Sequence, residues 1–170
     1  MDTYLTNEQQ TQLLKPINPL RVAHAQGLSH LEAWDVRAHL NRILGFARWS
    51  ADLLNIEMLY EDKTTTRSGT SAWSVGYRAT MRLTICAPDG STLATYTEAA
   101  AGGPMPNPSR ADCHDMAIKT AESQALKRCA TNLGDQFGLS LYDEGRTDAV
   151  VLATLLHKSD TGEIEEGSAE

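Results

Sequence analysis

The sequence predicts an α+β fold, an antiparallel three-stranded β-meander with packed helices and a β-β-β-α core. Three observations predict it. From Trp73 to Cys86 every odd position is apolar or aromatic, while Ser74, Arg78, Thr80, Arg82 and Thr84 make the other face polar, a period of two over an unusual length. Ala-Pro-Asp-Gly at 87–90 supplies a turn that folds Ser91–Glu98 back as a hairpin. Finally, Ile118, Ala121, Ala125, Cys129 and Leu133 recur at helical spacing and form one apolar stripe.

The remaining elements follow in order. Residues 1–20 carry Pro16, Pro19 and a short amphipathic stretch, and read as an arm leading into a domain over 21–142. Between Gly27 and Gly45 two helix starts compete. One is a capping box at Ser29 and Glu32; the other is an N-cap at Asp35 that leaves Leu28–Trp34 as a short strand. Val36, Leu40 and Leu44 recur in either case, and Gly45 closes the helix. In Leu54–Glu61, Leu54, Ile56, Met58 and Tyr60 alternate with polar residues, broken only by Leu59, which predicts the first long strand; residues 62–72 form its polar hairpin tip. After a Gly-Gly-Pro loop, Ser109 is placed to cap the long helix with Asp112 three residues on, and Gly134 ends it. Ala149–Leu156 is expected to form a short helix, and residues 143–170 an acidic, mostly disordered tail.

Charge is unevenly spread. The chain of 170 residues has a net charge of -7, from 22 acids and 15 bases. Asp143 to Glu170 takes eight of the acids and two of the bases, leaving 14 against 13 in the rest. The body is therefore nearly neutral, and the overall acidity does not exclude phosphate binding by a local basic patch. No apolar run approaches the roughly 18 residues of a membrane span, and the N-terminus lacks the basic flank and apolar core of a signal peptide. Three widely spaced cysteines, Cys86, Cys113 and Cys129, form neither a disulfide framework nor a zinc pattern, which points to a reducing cytoplasm.

Candidate chemistry is sparse, and its sparseness is informative. The five histidines are too dispersed to ligate a metal, Gly102-Gly103 lacks the lysine or serine of a phosphate loop, and no nucleophile stands with its base in a hydrolase spacing. No cofactor, metal or catalytic residue is expected. Trp34, Trp49 and Trp73 each fall at an apolar phase of their element, which favours core packing over base stacking. What stands out is Lys127-Arg128, off the apolar stripe of the long helix. Taken alone, such a pair is an ordinary solvated face.

The surrounding residues change that reading. Gly45-x-x-x-Trp49, the long meander with its Asp89-Gly90 turn, and above all A-x-K-T-A-x-x-x-A-L-K-R-x-x-x-x-x-G over Ala117–Gly134 resemble the Rad52 family of single-strand annealing proteins, across roughly Arg21 to Tyr142. The resemblance implies a ring-forming homo-oligomer that binds single-stranded DNA in an outer basic groove and pairs complementary strands in recombination and double-strand break repair without ATP. Lys127 and Arg128 match the family's principal DNA-contacting pair, and Arg21 matches a further groove arginine. Arg78 and Arg82, on the open sheet face, are placed to line the groove or a subunit contact. Thr131 and Pro88 stand where the family often has bases, with Arg110 as the nearby substitute. The long C-terminal region with which eukaryotic members bind a recombinase and a single-strand coating protein is not seen, which suits a phage or bacterial module in a cytoplasmic, nucleoid-associated setting; a host recombinase or coating protein remains a candidate partner. Two other readings stay open: a double-stranded RNA-binding module, which shares the β-β-β-α order, and a structural oligomer whose arginines serve subunit salt bridges.

Overall fold

The computed structural model describes residues 5–25 and 27–154, and its elements run in chain order α1 (Asn7–Leu13), β1 (Ala23–Ala25), β2 (Leu28–His30), α2 (Ala33–Leu44), β3 (Trp49–Thr65), β4 (Ser71–Cys86), β5 (Thr92–Gly102) and α3 (Arg110–Thr131). The α+β class and the three-stranded antiparallel sheet are as expected from the sequence. The described residues fall into two units. One holds the chain up to Trp49, Ile85–Ala94 and the residues from Ala130 onward; the other holds Ser50–Thr84 and Thr95–Cys129.

In the first unit the arm is structured. Thr6 and Gln9 form a reciprocal capping box at the start of α1. The Gln9 amide then donates to the carbonyls of Ile43 and Leu44 at 3.1 and 3.4 Å, satisfying acceptors that the end of α2 leaves open. Ile17, Leu31, Val36, Leu40, Ile43, Leu44, Phe137 and Leu141 supply the apolar core. Helix α2 begins at Ala33, capped by the Glu32 backbone without a side-chain hydrogen bond, so neither anticipated cap forms. Asp35 is drawn inward instead. Strand β2 is correspondingly short, stopping at His30.

Trp34 corrects the expectation of three core tryptophans: it is 72 % exposed. The buried stripe of α2 is Val36, Leu40, Ile43 and Leu44, and two residues before Val36 lies about 200° round the helix, on the opposite face. Trp49 and Trp73 are half-buried, Trp49 donating through Nε1 to Asn41 at 2.9 Å.

A second correction concerns the chain beyond Tyr142. Residues 149–154 are not helical, and 155–156 lie outside the described residues, as does most of the expected disordered tail. The cause is a side chain: buried Asp135 accepts the amides of both Val150 and Val151 through Oδ2 at 3.0 Å, a pairing that holds this segment along the unit instead of coiling it.

In the second unit β4 is the central strand of the order β3-β4-β5. Its odd residues Val75, Ala79, Met81 and Leu83 are buried, while Arg78 and Arg82 are exposed on the other face. Helix α3 covers the odd face: Cys113 and Ala117 pack with Val75, Trp73 and Tyr77, and the Cys113 and Cys129 thiols reach the carbonyls of Trp73 and Met81. Ser109 caps α3 by accepting from the Asp112 amide at 3.3 Å, as the sequence indicates. Gly102 explains the close seat of β5, since a Cβ there would stand 2.5 Å from the Ala121 amide nitrogen.

Strand β3 departs most from expectation. It runs 17 residues, from Trp49 instead of Leu54, and Leu53, Leu54, Met58, Leu59 and Tyr60 are all exposed. Period-two patterning predicted one covered face, but β3 is an edge strand and only Ile56 of its alternating set is even half-buried.

Candidate nucleic-acid interface

Lys127 and Arg128 lie near the C-terminal end of α3, and Arg128 is in its last turn, where a cation also complements the helix dipole. The apolar stripe Ala121, Ala125, Cys129 is fully buried, and this anchors the rotation of the helix so that Lys127 is half-buried and Arg128 exposed. Arg128 reaches Glu98 on β5 at 3.4 Å, with the arginine side chain 54 % exposed. A pair this open and this long contributes at most about 1 kcal/mol. This ion pair by itself is therefore weak enough to be exchanged for contact with a polyanion.

The other expected bases are placed elsewhere. Arg110 opens α3, about 27 Å from Arg128 along the axis at 1.5 Å per residue. It lies over the Trp73 ring at 5.2 Å and pairs with Glu61 at 3.0 Å. Glu61 also meets His114 at 2.6 Å, and the Tyr77 hydroxyl meets the other nitrogen of that ring at 3.0 Å. The Arg110 hydrogen bond, aided by His114, holds the Glu61 carboxyl below its ordinary range. Arg78 pairs with Glu57 at 2.5 Å on the open sheet face, while Arg82 on that face has no carboxylate partner among the described residues. Within this unit, then, Lys127 and Arg128 stand together, Arg110 lies at the far end of their helix, and Arg78 and Arg82 lie across the sheet.

Arg21 belongs to the other unit and is deeply engaged. Its Nε and Nη2 donate to the Asp35 carboxylate, and Nη1 and Nη2 donate to the side chain and backbone of Gln136 at 3.1 and 2.9 Å. The Gln136 amide in turn donates to the carbonyls of Lys15 and Pro16. His39 adds a contact to Asp35 at 3.4 Å. Burial nevertheless lowers the His39 pKa, outweighing the attraction of Asp35, and Arg21 and Arg42 act in the same direction.

Sequence reading did not find Glu98 and Glu61, the counter-charges of Arg128 and Arg110. Each lies at least 30 residues from its partner. The only available signal was hairpin register. Among the described residues no cluster of histidine, cysteine or carboxylate could hold a metal, and no helix is long and apolar enough to cross a membrane.

The chain is similar in sequence to known proteins. The model of the Rad52/22 family double-strand break repair protein matches residues 6–154. The DNA repair and recombination protein RAD52 of Saccharomyces cerevisiae is 29% identical over 141 residues, covering 79% of this chain and 28% of that one. The DNA repair and recombination protein rad22 of Schizosaccharomyces pombe is 28% identical over 143 residues, with the same two coverages. The radC protein of Emericella nidulans is 28% identical over 162 residues, 91% of this chain and 26% of that one. The chain thus spans little more than a quarter of the length of these relatives.

Proposed function

Because the chain belongs to the Rad52/22 family of double-strand break repair proteins, we propose that it acts in DNA repair and recombination by binding single-stranded DNA and annealing complementary strands. The observation that carries the reading is the Lys127-Arg128 pair, set near the C-terminal end of α3 by a buried stripe, with Arg128 exposed and paired at the surface with Glu98.

The mechanism is electrostatic. Two single strands repel through their phosphates; Lys127 and Arg128 offset that charge and release counterions from the bound strand. Contacts to the backbone carry no sequence information, so the protein serves any strand and base pairing alone selects the partner. No bond is made or broken by the protein, and no nucleotide cofactor enters. One protomer supplies few charges. A homo-oligomeric ring repeats them along the strand and turns weak contacts into avidity, and the exposed apolar residues of β3 support such an assembly. Arg78, Arg82 and Arg110 are secondary contacts in this reading, and Arg21 acts chiefly by holding Asp35 and Gln136. A recombinase or a single-strand coating protein is the candidate partner in this reading.

The test is annealing of two complementary oligonucleotides followed by fluorescence, with the wild type and a Lys127→Ala, Arg128→Ala double variant of verified oligomeric size. The wild type accelerates annealing and the variant does not. Equal acceleration by both would remove the pair from the mechanism.

A further inference from the structure

Helix α2 turns an unusual face to solvent. Measured from Trp34 at 100° per residue, Arg37, Ala38, Asn41 and Arg42 fall within about 80° of it, and all but half-buried Asn41 are exposed. The helix's single acid, Asp35, lies about 100° from Trp34 by the same measure, but it is buried and held by Arg21 and His39. Glu32, at the N-cap, is about 160° away from Trp34 and meets His30. Arg37 and Arg42 have no carboxylate partner among the described residues; the one contact recorded for Arg42 is with the His39 ring at 3.5 Å. A large aromatic ring and two guanidiniums thus share an exposed face whose nearest helix carboxylate, Asp35, is buried and already paired with Arg21.

Each part of this face costs the protein something that folding does not return. An exposed tryptophan forgoes the burial that repays its apolar area. Two arginines without counter-charges leave a local positive field in a chain whose net charge is -7. A protein partner of ordinary composition would answer Trp34 with an apolar pocket but would have to bring carboxylates for both arginines. A nucleic acid strand answers both needs at once, since every base has a flat face and every linkage a negative charge.

Resting on the reading of this chain as a single-strand binder, we infer that the outward face of α2 is a further contact for single-stranded DNA, in which Trp34 stacks on a base and Arg37 and Arg42 take neighbouring phosphates. Trp34 to Arg42 covers about 12 Å of helix, the length of three or four stacked nucleotides at about 3.4 Å each. The role differs in kind from that of Lys127 and Arg128. A stacked base is immobilised against pairing while it is held, so this face retains a strand at the expense of a few bases, and the phosphate contacts leave bases free to pair.

The experiment uses the full chain and a thymidine oligonucleotide carrying 5-iodouracil. Irradiation followed by peptide mapping locates the base contact, and anisotropy titrations over a salt series give affinity and slope for five proteins of checked oligomeric size. These are the wild type, Trp34→Ala, Trp34→Phe, Arg37→Ala with Arg42→Ala, and Lys127→Ala with Arg128→Ala. The expected result is a crosslink at Trp34, an affinity loss of about fivefold or more in Trp34→Ala with most of it restored in Trp34→Phe, and a salt slope shallower by about 1.4 per bound protomer in the Arg37, Arg42 variant. If the Lys127, Arg128 variant loses affinity while Trp34→Ala binds as the wild type does and crosslinks map elsewhere, the α2 contact is overturned and the annealing reading stands. If the wild type does not bind the oligonucleotide at all, both fall. A Trp34→Ala protein that changes oligomeric size while the wild type shows no Trp34 crosslink overturns the inference in favour of a subunit contact.

Discussion

The guanidinium of Arg21 and the carboxylate of Asp35 meet at 2.8 Å with their side chains only 11 % and 5 % exposed. Such a pair is costly to form and more costly to break, because removing one partner strands the other's charge away from water. Arg21→Ala or Asp35→Ala is expected to lose about 3–5 kcal/mol of stability, read from urea unfolding. A loss below about 1 kcal/mol would mean that water already reaches the pair. Affinity measurements on these variants have to be made at a matched folded fraction, since loss of fold imitates loss of a phosphate contact.

The neighbouring imidazole gives the same unit a pH dependence. His39 has its pKa lowered from 6.5, by burial first, then by the charges of Arg21 and Arg42, against the opposing pull of the Asp35 backbone and carboxylate. A depressed folded-state value means that the unfolded chain binds the proton more readily, so the contribution to stability is fully present above about 6.5 and is lost as pH falls through the folded value. The melting temperature of the wild type should drop on acidification from about pH 7 to about pH 5 more than that of His39→Gln. Parallel curves would exclude His39 as the source.

At Gly102 β5 runs close against the backbone of α3. A methyl group there meets backbone, at 2.5 Å from the Ala121 nitrogen and 2.8 Å from the Thr120 carbonyl carbon, and backbone cannot swing aside as a side chain can. Gly102→Ala should therefore cost about 1–3 kcal/mol and lower the melting temperature without changing any charge. An unaltered melting temperature would show that the strand end lifts freely from the helix.

Salt separates the phosphate contacts from the rest. Each phosphate neutralised on a single strand contributes about 0.7 to the slope of log affinity against log salt. Replacing Lys127 and Arg128 together should flatten the slope by about 1.4 per bound protomer, while Arg78→Ala, which breaks a pair with Glu57, should change it by less. Equal flattening by both would spread the interface over the open sheet face.

What the sequence made legible was local. The alternation of β4, the turn at 87–90, the Ser109 cap and the stripe of α3 all depend on neighbours within a few residues, and all four appear in the structure. What it concealed was set by distant partners. Arg21 meets Gln136 across 115 residues, and the starting point of α2 follows from Asp35 being drawn into that network instead of capping. Trp34 shows a related limit: its own hydrophobicity favours burial, but the Val36, Leu40, Leu44 period sets it off the buried stripe. The Lys127-Arg128 pair was visible as a pattern, but its counter-charge Glu98 was not.

Strand β3 leaves Leu53, Leu54, Met58, Leu59 and Tyr60 exposed on one chain. If these side chains are withdrawn from water only when protomers meet, the free energy of folding includes a term in protein concentration. Dilution is then a denaturing perturbation, and a melting temperature has meaning for this protein only beside the molarity at which it was taken.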